Sequence, residues 1–361
     1  MVKAIQIRGF RRFRSFEIGN LKRINLFIGA NCSGRTSILE AIEILASGKP
    51  GVLLPGPVRR GEEVSLLSEQ SAFEVDLSHL WFGHKLIVCS SFEITAKGDR
   101  DRFVECSIVE VGNDYGTVMG ETAVPPEPAI PKLGIWFRSD SIPPGTLIRL
   151  SPSRGLPNDE RNRISPAESK ERVSYLTTAL VDHMRLGKLW DSIALTSDEA
   201  IVIEFLRIIN PKIQGLAFLG DSRSYGRNTL LSISEFHERI PIGSAGDGLR
   251  HLLALSLNVI SARHGVLLVD EIDVGLHCSV MQRMWRFLVE IARRLDVQVF
   301  ATTRSLDCAR ALAWTKEKLG QVPDDVMIHN IDPQLDHSLA CSSDELGAME
   351  ANRYREAREN G

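Results

Sequence analysis

The chain has 361 residues, of which 43% are hydrophobic and 25% are charged. This composition supplies a sizeable core and excludes a disordered chain, a collagen-like repeat and a small disulfide-stapled protein. The formal net charge is −3, so a nucleic acid would have to bind a local basic patch. The six cysteines form no CxxC pair, and the apolar runs are too short to cross a bilayer. We therefore expect a cytoplasmic protein with no membrane partner.

The first third of the chain has the pattern of strands interrupted by one helix. Residues 4–10 and 11–18 alternate as a hairpin, and Ile24–Ile28 has the pattern of a short buried strand. Helical spacing of apolar residues predicts a helix over Thr36–Ala46, and the Gly- and Pro-rich segment Lys49–Pro57 predicts a loop. Three strand-like runs then predict an antiparallel sheet: Phe73–Leu77, Leu86–Ile94 and Phe103–Val111.

The rest of the chain passes from an irregular middle to regular alternation. Residues 112–165 are rich in proline and predict loops and edge strands, whereas helical periodicity from Pro166 to Ile209 predicts helices. Helical and apolar strand patterns then alternate in the order Gly248–Ser261, Gly265–Val269, Val280–Arg294, Val297–Ala301 and a helix from Leu306. This alternation predicts a parallel α/β sheet covered on both faces.

Residues 29–36, GANCSGRT, have the frame of a phosphate-binding loop between a predicted buried strand and a predicted helix. Backbone N–H groups and the helix N-terminus would surround a di- or triphosphate, and Thr36 would offer a hydroxyl to Mg²⁺. The motif's usual Lys is Arg35, which keeps the charge but cannot act as a compact ammonium, so fast turnover is disfavoured. A glycine-rich turn without a ligand is the alternative. The candidate nucleotide-binding residues of this segment are Gly29, Asn31, Ser33, Gly34, Arg35, Thr36 and Ser37.

The apolar run Val266–Val269 ends in two carboxylates, Asp270 and Glu271. The strand would place Asp270 at its tip, where the carboxylate could hold Mg²⁺ directly or through water. Glu271 would then be free to orient or deprotonate an attacking water. Acidic pairs at strand ends are common, and it is the phosphate loop upstream that gives this pair its interpretation.

Three stretches of sequence carry a likeness to a known family. They are GFRRFRSF at 9–16, RTSILEA at 35–41 and DEIDVGLH at 270–277. Together they resemble ABC-type ATPase heads of the OLD and RecF-like group, over residues 1–50 and 238–315. The resemblance implies an α/β fold: a P-loop NTPase head of the ABC type with a mixed or parallel core sheet, an antiparallel β-lobe and a helical insertion.

In that family a signature segment of one head closes over the nucleotide held by another head. The matching stretch is GSAGDG at 243–248, from which Ser244 and Gly246 would contact the γ-phosphate across a dimer. An ordinary helix cap is the alternative role for Asp247. Asp273–Leu276 would form the loop that contacts the partner head. The resemblance thus implies ATP and Mg²⁺ as cofactors and a homodimer closed around the nucleotide.

The switch histidine of the family lies in a TTHS tetrad, and this chain has TTRS at 302–305. Arg304 cannot be a neutral hydrogen-bond acceptor, although it could neutralise a γ-phosphate. The candidate catalytic residues are therefore Glu271 and Arg304. Because Arg35 and Arg304 both depart from the pattern, we expect a head that binds nucleotide and turns it over slowly or not at all.

The expected domain division has three parts. Residues 1–115 would hold the phosphate loop and the β-lobe, 116–237 an insertion that is irregular and then helical, and 238–361 the signature, the acidic strand end and the switch. No sustained heptad predicts a long coiled coil. Too few residues follow Arg304 for a TOPRIM nuclease, so a nuclease or toxin effector would be a separate chain.

Two other functions remain open alongside the ATPase. One is a pseudo-ATPase that senses nucleotide or acts as a scaffold, and the other is a RecF-like DNA-repair ATPase. DNA remains a possible partner because the N-terminal part of the chain carries a basic cluster, formed by Arg8, Arg11, Arg12, Arg14, Lys22 and Arg23. The alternative interpretation of this cluster is a hairpin face exposed to solvent. By resemblance, small heads of this kind occur in bacterial anti-phage or toxin–antitoxin modules.

Overall fold

The computed structural model of the protein describes residues 1–61, 64–66, 73–111, 132–153, 155–164, 172–177, 183–220, 227–235, 238–318, 325–342 and 345–347. The strands in these ranges are β1 (Val2–Phe10), β2 (Phe13–Ile18), β3 (Ile24–Ile28), β4 (Val64–Leu66), β5 (Phe73–Asp76), β6 (Ser91–Gly98), β7 (Arg102–Glu110), β8 (Leu133–Ser139), β9 (Ile142–Arg149), β10 (Gly155–Leu156), β11 (Val173–Leu176), β12 (Ile213–Gly220), β13 (Arg227–Ile233), β14 (Ile240–Pro241), β15 (Val266–Val269), β16 (Gln298–Thr303), β17 (Val326–Asn330) and β18 (Leu339–Ala340). The helices are α1 (Arg35–Ser47), α2 (Pro55–Arg60), α3 (Asn158–Ile164), α4 (His183–Asp191), α5 (Ser197–Leu206), α6 (Asp247–Ser261), α7 (Cys278–Arg294) and α8 (Leu306–Lys318).

The chain divides into two compact units. We call residues 1, 20–39 and 171–361 the α/β unit, and residues 2–19 and 40–170 the β unit. Both the phosphate loop and the acidic strand end fall in the α/β unit, although they are far apart in the sequence. The ranges 1–115, 116–237 and 238–361 stay a prediction about domains, and the compact units are divided at other points.

The α/β unit is built on a six-stranded sheet in the order β11-β15-β16-β3-β17-β18. All neighbouring strands in it are parallel except the last pair, β17 and β18. Every residue of β3, β15 and β16 is buried, as expected for strands of a parallel sheet that is covered on both faces. The parallel α/β sheet expected from the sequence is confirmed.

One strand of this sheet contradicts the sequence prediction. The periodicity from Pro166 to Ile209 predicts helices, yet Val173–Leu176 is the strand β11, paired in parallel with β15. Residues 165–171 and 178–182 lie outside the described part, and α4 and α5 are the helices found in the remainder. The sequence analysis also did not predict the antiparallel hairpin of β12 and β13, in which Ile213–Gly220 pairs with Arg227–Ile233.

The β unit contains an antiparallel sheet in the order β2-β1-β6-β7-β8-β9 and a smaller one in the order β10-β5-β4. The predicted antiparallel pairing of β6 with β7 is correct, although β6 begins at Ser91 and not at Leu86. The run at Phe73–Leu77 contributes β5 to the smaller sheet instead. Lys49–Pro57 is not a plain loop, because a 3₁₀ turn spans Pro50–Leu53 and α2 begins at Pro55. Proline suits the first turn of a helix, where its missing N–H is not needed. Of the stretch 112–165, predicted as loops and edge strands, residues 112–131 lie outside the described part. The prediction is wrong for much of the remainder, because β8 lies between β7 and β9 inside the larger sheet and residues 158–164 form α3.

The basic N-terminal cluster is not a wholly solvated face. Arg11 is only 5% exposed and pairs with Glu40 on α1, within the β unit. Arg60 contacts both oxygens of the same carboxylate, at 3.1 and 3.2 Å.

The six cysteines are free thiols. Among the helices of the described residues, none combines the length and the apolarity needed to span a bilayer.

Candidate nucleotide site

The candidate site lies where β15, β16 and β3 end, all within the α/β unit. The parallel register puts Val269 beside Ala301 and Thr303 beside Ile28. Each of these strands therefore delivers its next residues to the same edge of the sheet, where parallel α/β sheets bind their ligands. The phosphate loop follows β3, the acidic pair follows β15, and the TTRS tetrad spans the end of β16.

The phosphate loop is a tight cradle with little room for extra atoms. A Cβ atom on Gly29 would lie 2.6 Å from the carbonyl oxygen of Ile331. Cys32 and Gly34 adopt positive φ angles of 59° and 96°, which turn the backbone between β3 and α1. Ser33 is buried, and its Oγ has no hydrogen-bond partner among the described residues. A buried hydroxyl without a partner is unusual, and a phosphate oxygen would satisfy it.

Asp270 is held between two hydroxyl groups from different motifs. Thr36 Oγ1 donates to its Oδ2 at 3.0 Å, across 234 residues of sequence. Thr302 Oγ1 donates to its Oδ1 at 2.6 Å. Both oxygens of the carboxylate are thus fixed, and the group stands beside the first turn of α1. The structure brings together Thr36 and Asp270, the two residues expected to hold a metal ion.

Glu271 stands in an unusual backbone conformation, with a φ of 51°. Its N–H donates to Thr302 Oγ1 at 2.8 Å, which stabilises this left-handed turn after β15. Its side chain forms an ion pair with Arg304, with 2.7 Å between Oε1 and Nε. The two candidate catalytic residues are therefore in direct contact.

Arg35 turns its guanidinium toward β16. It donates a short hydrogen bond to the carbonyl oxygen of Thr303 and is 9% exposed. Burial lowers the pKa of Arg35 from its usual value, and this effect outweighs the negative charges of Asp270 and Glu271, which raise the pKa. An arginine remains protonated despite such a change. One donor of the group is thus committed to the protein backbone.

The predicted signature lies at the start of α6. Ser244 and Gly246 are exposed, and Gly246 has a φ of 101° and precedes the helix. Asp247 is the first residue of α6 and makes no capping bond there, pairing instead with Arg250 at 3.2 Å. A Cβ atom on Gly248 would lie 2.7 Å from the carbonyl oxygen of Gly275, so the loop after Glu271 packs on this helix end. The exposed signature is available to a second chain.

The remaining candidates and two missed residues complete the site. Asn31 is exposed and Ser37 is buried. Thr302 and Thr303 fix the acidic residues, yet sequence reasoning assigned neither a role. The strand pattern could have found them, because the parallel pairing of β15 with β16 puts Val269 beside Ala301, so the threonines that end β16 lie at the edge where the acidic pair follows β15.

The donor set fits a magnesium nucleotide. Hydroxyl and carboxylate oxygens are the ligands that Mg²⁺ prefers, usually one or two from the protein with phosphate oxygens and water completing the shell. Thr36 and Asp270 offer such a pair. No larger group of His, Cys, Asp or Glu side chains forms a metal-binding cluster in the described part of the chain.

Comparisons with known proteins give matches to ATPase domains in both the N-terminal and the C-terminal part of the chain. Residues 1–108 match the family described as "AAA ATPase domain", and residues 194–306 match "AAA domain, putative AbiEii toxin, Type IV TA system". The ATP/GTP phosphatase of Helicobacter pylori is 19% identical over 336 residues, which are 84% of this chain and 85% of that protein. The DNA replication and repair protein RecF of Stenotrophomonas maltophilia is 36% identical over 64 residues, only 17% of this chain and 18% of RecF.

Two solved structures share the fold at low sequence identity. The SMC head bound to the C-terminal winged-helix domain of ScpA has a TM-score of 0.52 and 12% identity, covering 97% of this chain and 99% of that one. The SMC head with an extended coiled coil, bound to the C-terminal domain of ScpA and derived from Pyrococcus furiosus, has a TM-score of 0.51 and 11% identity, covering 98% and 99%. Both family models describe AAA-type ATPase domains, and in sequence and fold the chain is similar to ATPase heads of the ABC type and of the RecF-like kind.

Proposed function

We propose that the chain binds ATP with Mg²⁺ at this site, that two copies close around the nucleotide, and that slow hydrolysis gates a separate effector protein. The observation that carries the proposal is the Asp270 carboxylate, fixed by Thr36 at 3.0 Å and by Thr302 at 2.6 Å. This hydrogen bond joins the phosphate loop to the acidic strand end across 234 residues of sequence, at the edge of the sheet where parallel α/β sheets bind their ligands.

Each residue then has a defined task. Backbone N–H groups of the phosphate loop and the Ser33 hydroxyl would bind phosphate oxygens at the N-terminus of α1. Thr36 and Asp270 would hold Mg²⁺, which supplies charge neutralisation of the phosphates when it is bound. Glu271 would accept a proton from the attacking water. Ser244 and Gly246, exposed just before α6, would reach the nucleotide of the second copy.

Slow turnover follows from the contacts of the two arginines. The Glu271 carboxylate is paired with Arg304 at 2.7 Å, so one of its oxygens is engaged before a water arrives. Arg35 donates to the carbonyl oxygen of Thr303, and this donor would have to leave the backbone to reach a phosphate. Both contacts oppose fast chemistry, and neither blocks the phosphate loop.

The same contacts favour a second candidate, a nucleotide-sensing or scaffolding pseudo-ATPase. In that function the Arg304–Glu271 pair would stay closed, and nucleotide would act only as a ligand. The RecF matches support a DNA-repair ATPase only over short segments. The toxin–antitoxin description of the second family favours an anti-phage or toxin–antitoxin setting in the bacterial cytoplasm, with a nuclease or toxin as the effector.

Nucleotide binding and single-turnover hydrolysis separate these functions. ATP and GTP should both be tested, because the Helicobacter pylori relative is named for both. We expect the wild type to bind nucleotide in the presence of Mg²⁺ and to hydrolyse it slowly, and we expect the Arg35→Lys, Arg304→His double variant to be faster. Glu271→Gln should bind, fail to hydrolyse and accumulate as a dimer.

Glu290→Gln, an exposed substitution on α7, is the matched control for Glu271→Gln and should behave as wild type. If the wild type neither binds nucleotide nor dimerises with it, the ATPase proposal is wrong and the scaffold is favoured. Rapid hydrolysis by the wild type would contradict the effect assigned to the two arginines.

A further inference from the structure

Thr303 is the last residue of β16, is fully buried, and has contacts with three different loops. Its hydroxyl donates to Asp273 Oδ1 at 2.5 Å and accepts from the N–H of Ser305 at 2.9 Å. Its carbonyl oxygen accepts the hydrogen bond from Arg35. One residue thus joins the loop after the acidic pair, the switch segment and the phosphate loop.

The neighbouring threonine has a separate task. Thr302 binds Asp270 and the N–H of Glu271, on the side of the expected metal. Thr303 binds Asp273, which begins the segment expected to touch the partner head, and Ser305, which follows Arg304 directly. The two hydroxyls therefore divide the edge of the sheet into a metal side and a partner side.

The Thr303 link is rigid enough to transmit a displacement. A hydrogen bond to an ionised carboxylate is stronger than one between neutral groups. The β-branched side chain has few allowed rotamers, and burial on β16 removes space in which it could turn away. A shift of Asp273 would accordingly pull on the backbone around Arg304, whose side chain holds Glu271.

We propose that Thr303 is a positioning residue: its hydroxyl couples the Asp273 loop to the switch segment and so sets the position of the Arg304–Glu271 pair. Thr303 touches no substrate in this scheme. The inference rests on the proposed function for its consequence in hydrolysis, but the coupling itself is a property of the protein without ligand.

The first test needs no nucleotide. Thr303→Val keeps the shape and removes the hydroxyl, and Thr303→Ser restores it. We expect hydrogen–deuterium exchange of the free protein to rise together over residues 273–276 and 304–306 in Thr303→Val and to return toward wild type in Thr303→Ser. Thr315→Val is the matched control, because Thr315 is equally buried but donates only to Ala311 of its own helix. Unchanged exchange in Thr303→Val would overturn the coupling, whatever the nucleotide assays show.

The second test compares affinity with rate. In Thr303→Val we expect the dissociation constant for Mg·ATP to stay within about three-fold of wild type and the single-turnover rate to fall about ten-fold or more, since small misplacements of catalytic groups are costly. Asp273→Ala should cause a similar fall, and the double variant should be no slower than either single one. Independent, multiplying effects would refute the coupling, as would an affinity that falls in parallel with the rate. A wild type that binds no ATP would refute the proposed function and leave the exchange result standing.

Discussion

Removing the side chain of Arg304 tests the assignment of this residue as a brake. In Arg304→Ala the Glu271 carboxylate loses its partner at 2.7 Å. The arginine side chain is 55% exposed and the glutamate side chain 26% exposed, so the pair is solvent-screened. Pairs of this kind contribute about 0.2–1 kcal/mol. If hydrolysis requires a free carboxylate, its population, and with it the single-turnover rate, should rise about 1.5- to 5-fold.

The assay is single-turnover hydrolysis of Mg·ATP at low and high salt. The gain of Arg304→Ala over wild type should shrink in high salt, because screening already weakens the pair in the wild-type protein. Arg286→Ala, an exposed arginine on α7, is the control and should leave the rate unchanged. A rate that falls in Arg304→Ala would show that the guanidinium assists the γ-phosphate, and the reasoning about a brake would be refuted.

Three further predictions concern the loop, the metal and pH. Gly29→Ala places a Cβ 2.6 Å from the Ile331 carbonyl oxygen and should cost about 1–3 kcal/mol of stability, measured by thermal unfolding. It should also weaken ATP binding, measured by titration. The control is Gly215→Ala, where the added Cβ has nothing within 4 Å, and it should leave both stability and binding unchanged. Asp270→Asn should weaken ATP binding at least about ten-fold in Mg²⁺ and little in EDTA, and equal losses in both would argue against a metal role. Burial lowers the pKa of His329 from 6.5 to about 4, so the folded state favours the neutral ring and stability should fall as pH drops through this range. The loss is on the order of 3 kcal/mol, and it should be absent from the unfolding free energy of His329→Leu; an identical pH dependence in both proteins would contradict it.

The elements that could be predicted are those whose signal is local. The apolar strand Ile24–Ile28 and the helix after it carry their own periodicity, and the structure has them within one or two residues of the predicted bounds. Val173–Leu176 has no such local signal. Its four residues have apolar neighbours at helical spacing, and they form a strand because they pair with β15, which is distant in the sequence. The assignment of β5 to a smaller sheet is likewise decided by its partners, β4 and β10.

The site shows the same division between local motif and distant partner. The spacing of the phosphate loop and the acidic pair pointed to Thr36 and Asp270, which the structure joins by a hydrogen bond at 3.0 Å. The sequence marks Arg35 and Arg304 as departures but cannot tell where their guanidinium groups turn. That depends on β16, which offers a carbonyl oxygen to Arg35 and brings Arg304 beside Glu271.

Arg304 also changes the charge of the site, in a way that would link nucleotide binding to slow turnover. Arg35 lies within the field of Asp270, Glu271, Asp273 and Arg304, so three carboxylates face two guanidinium groups and leave a net charge of −1. With a neutral histidine at position 304 the net charge would be −2. The additional positive charge favours a bound polyphosphate in the ground state, while its contact with Glu271 engages the proposed base. Stabilising the ground state without the transition state lowers the rate, so tight binding and slow hydrolysis would share one cause.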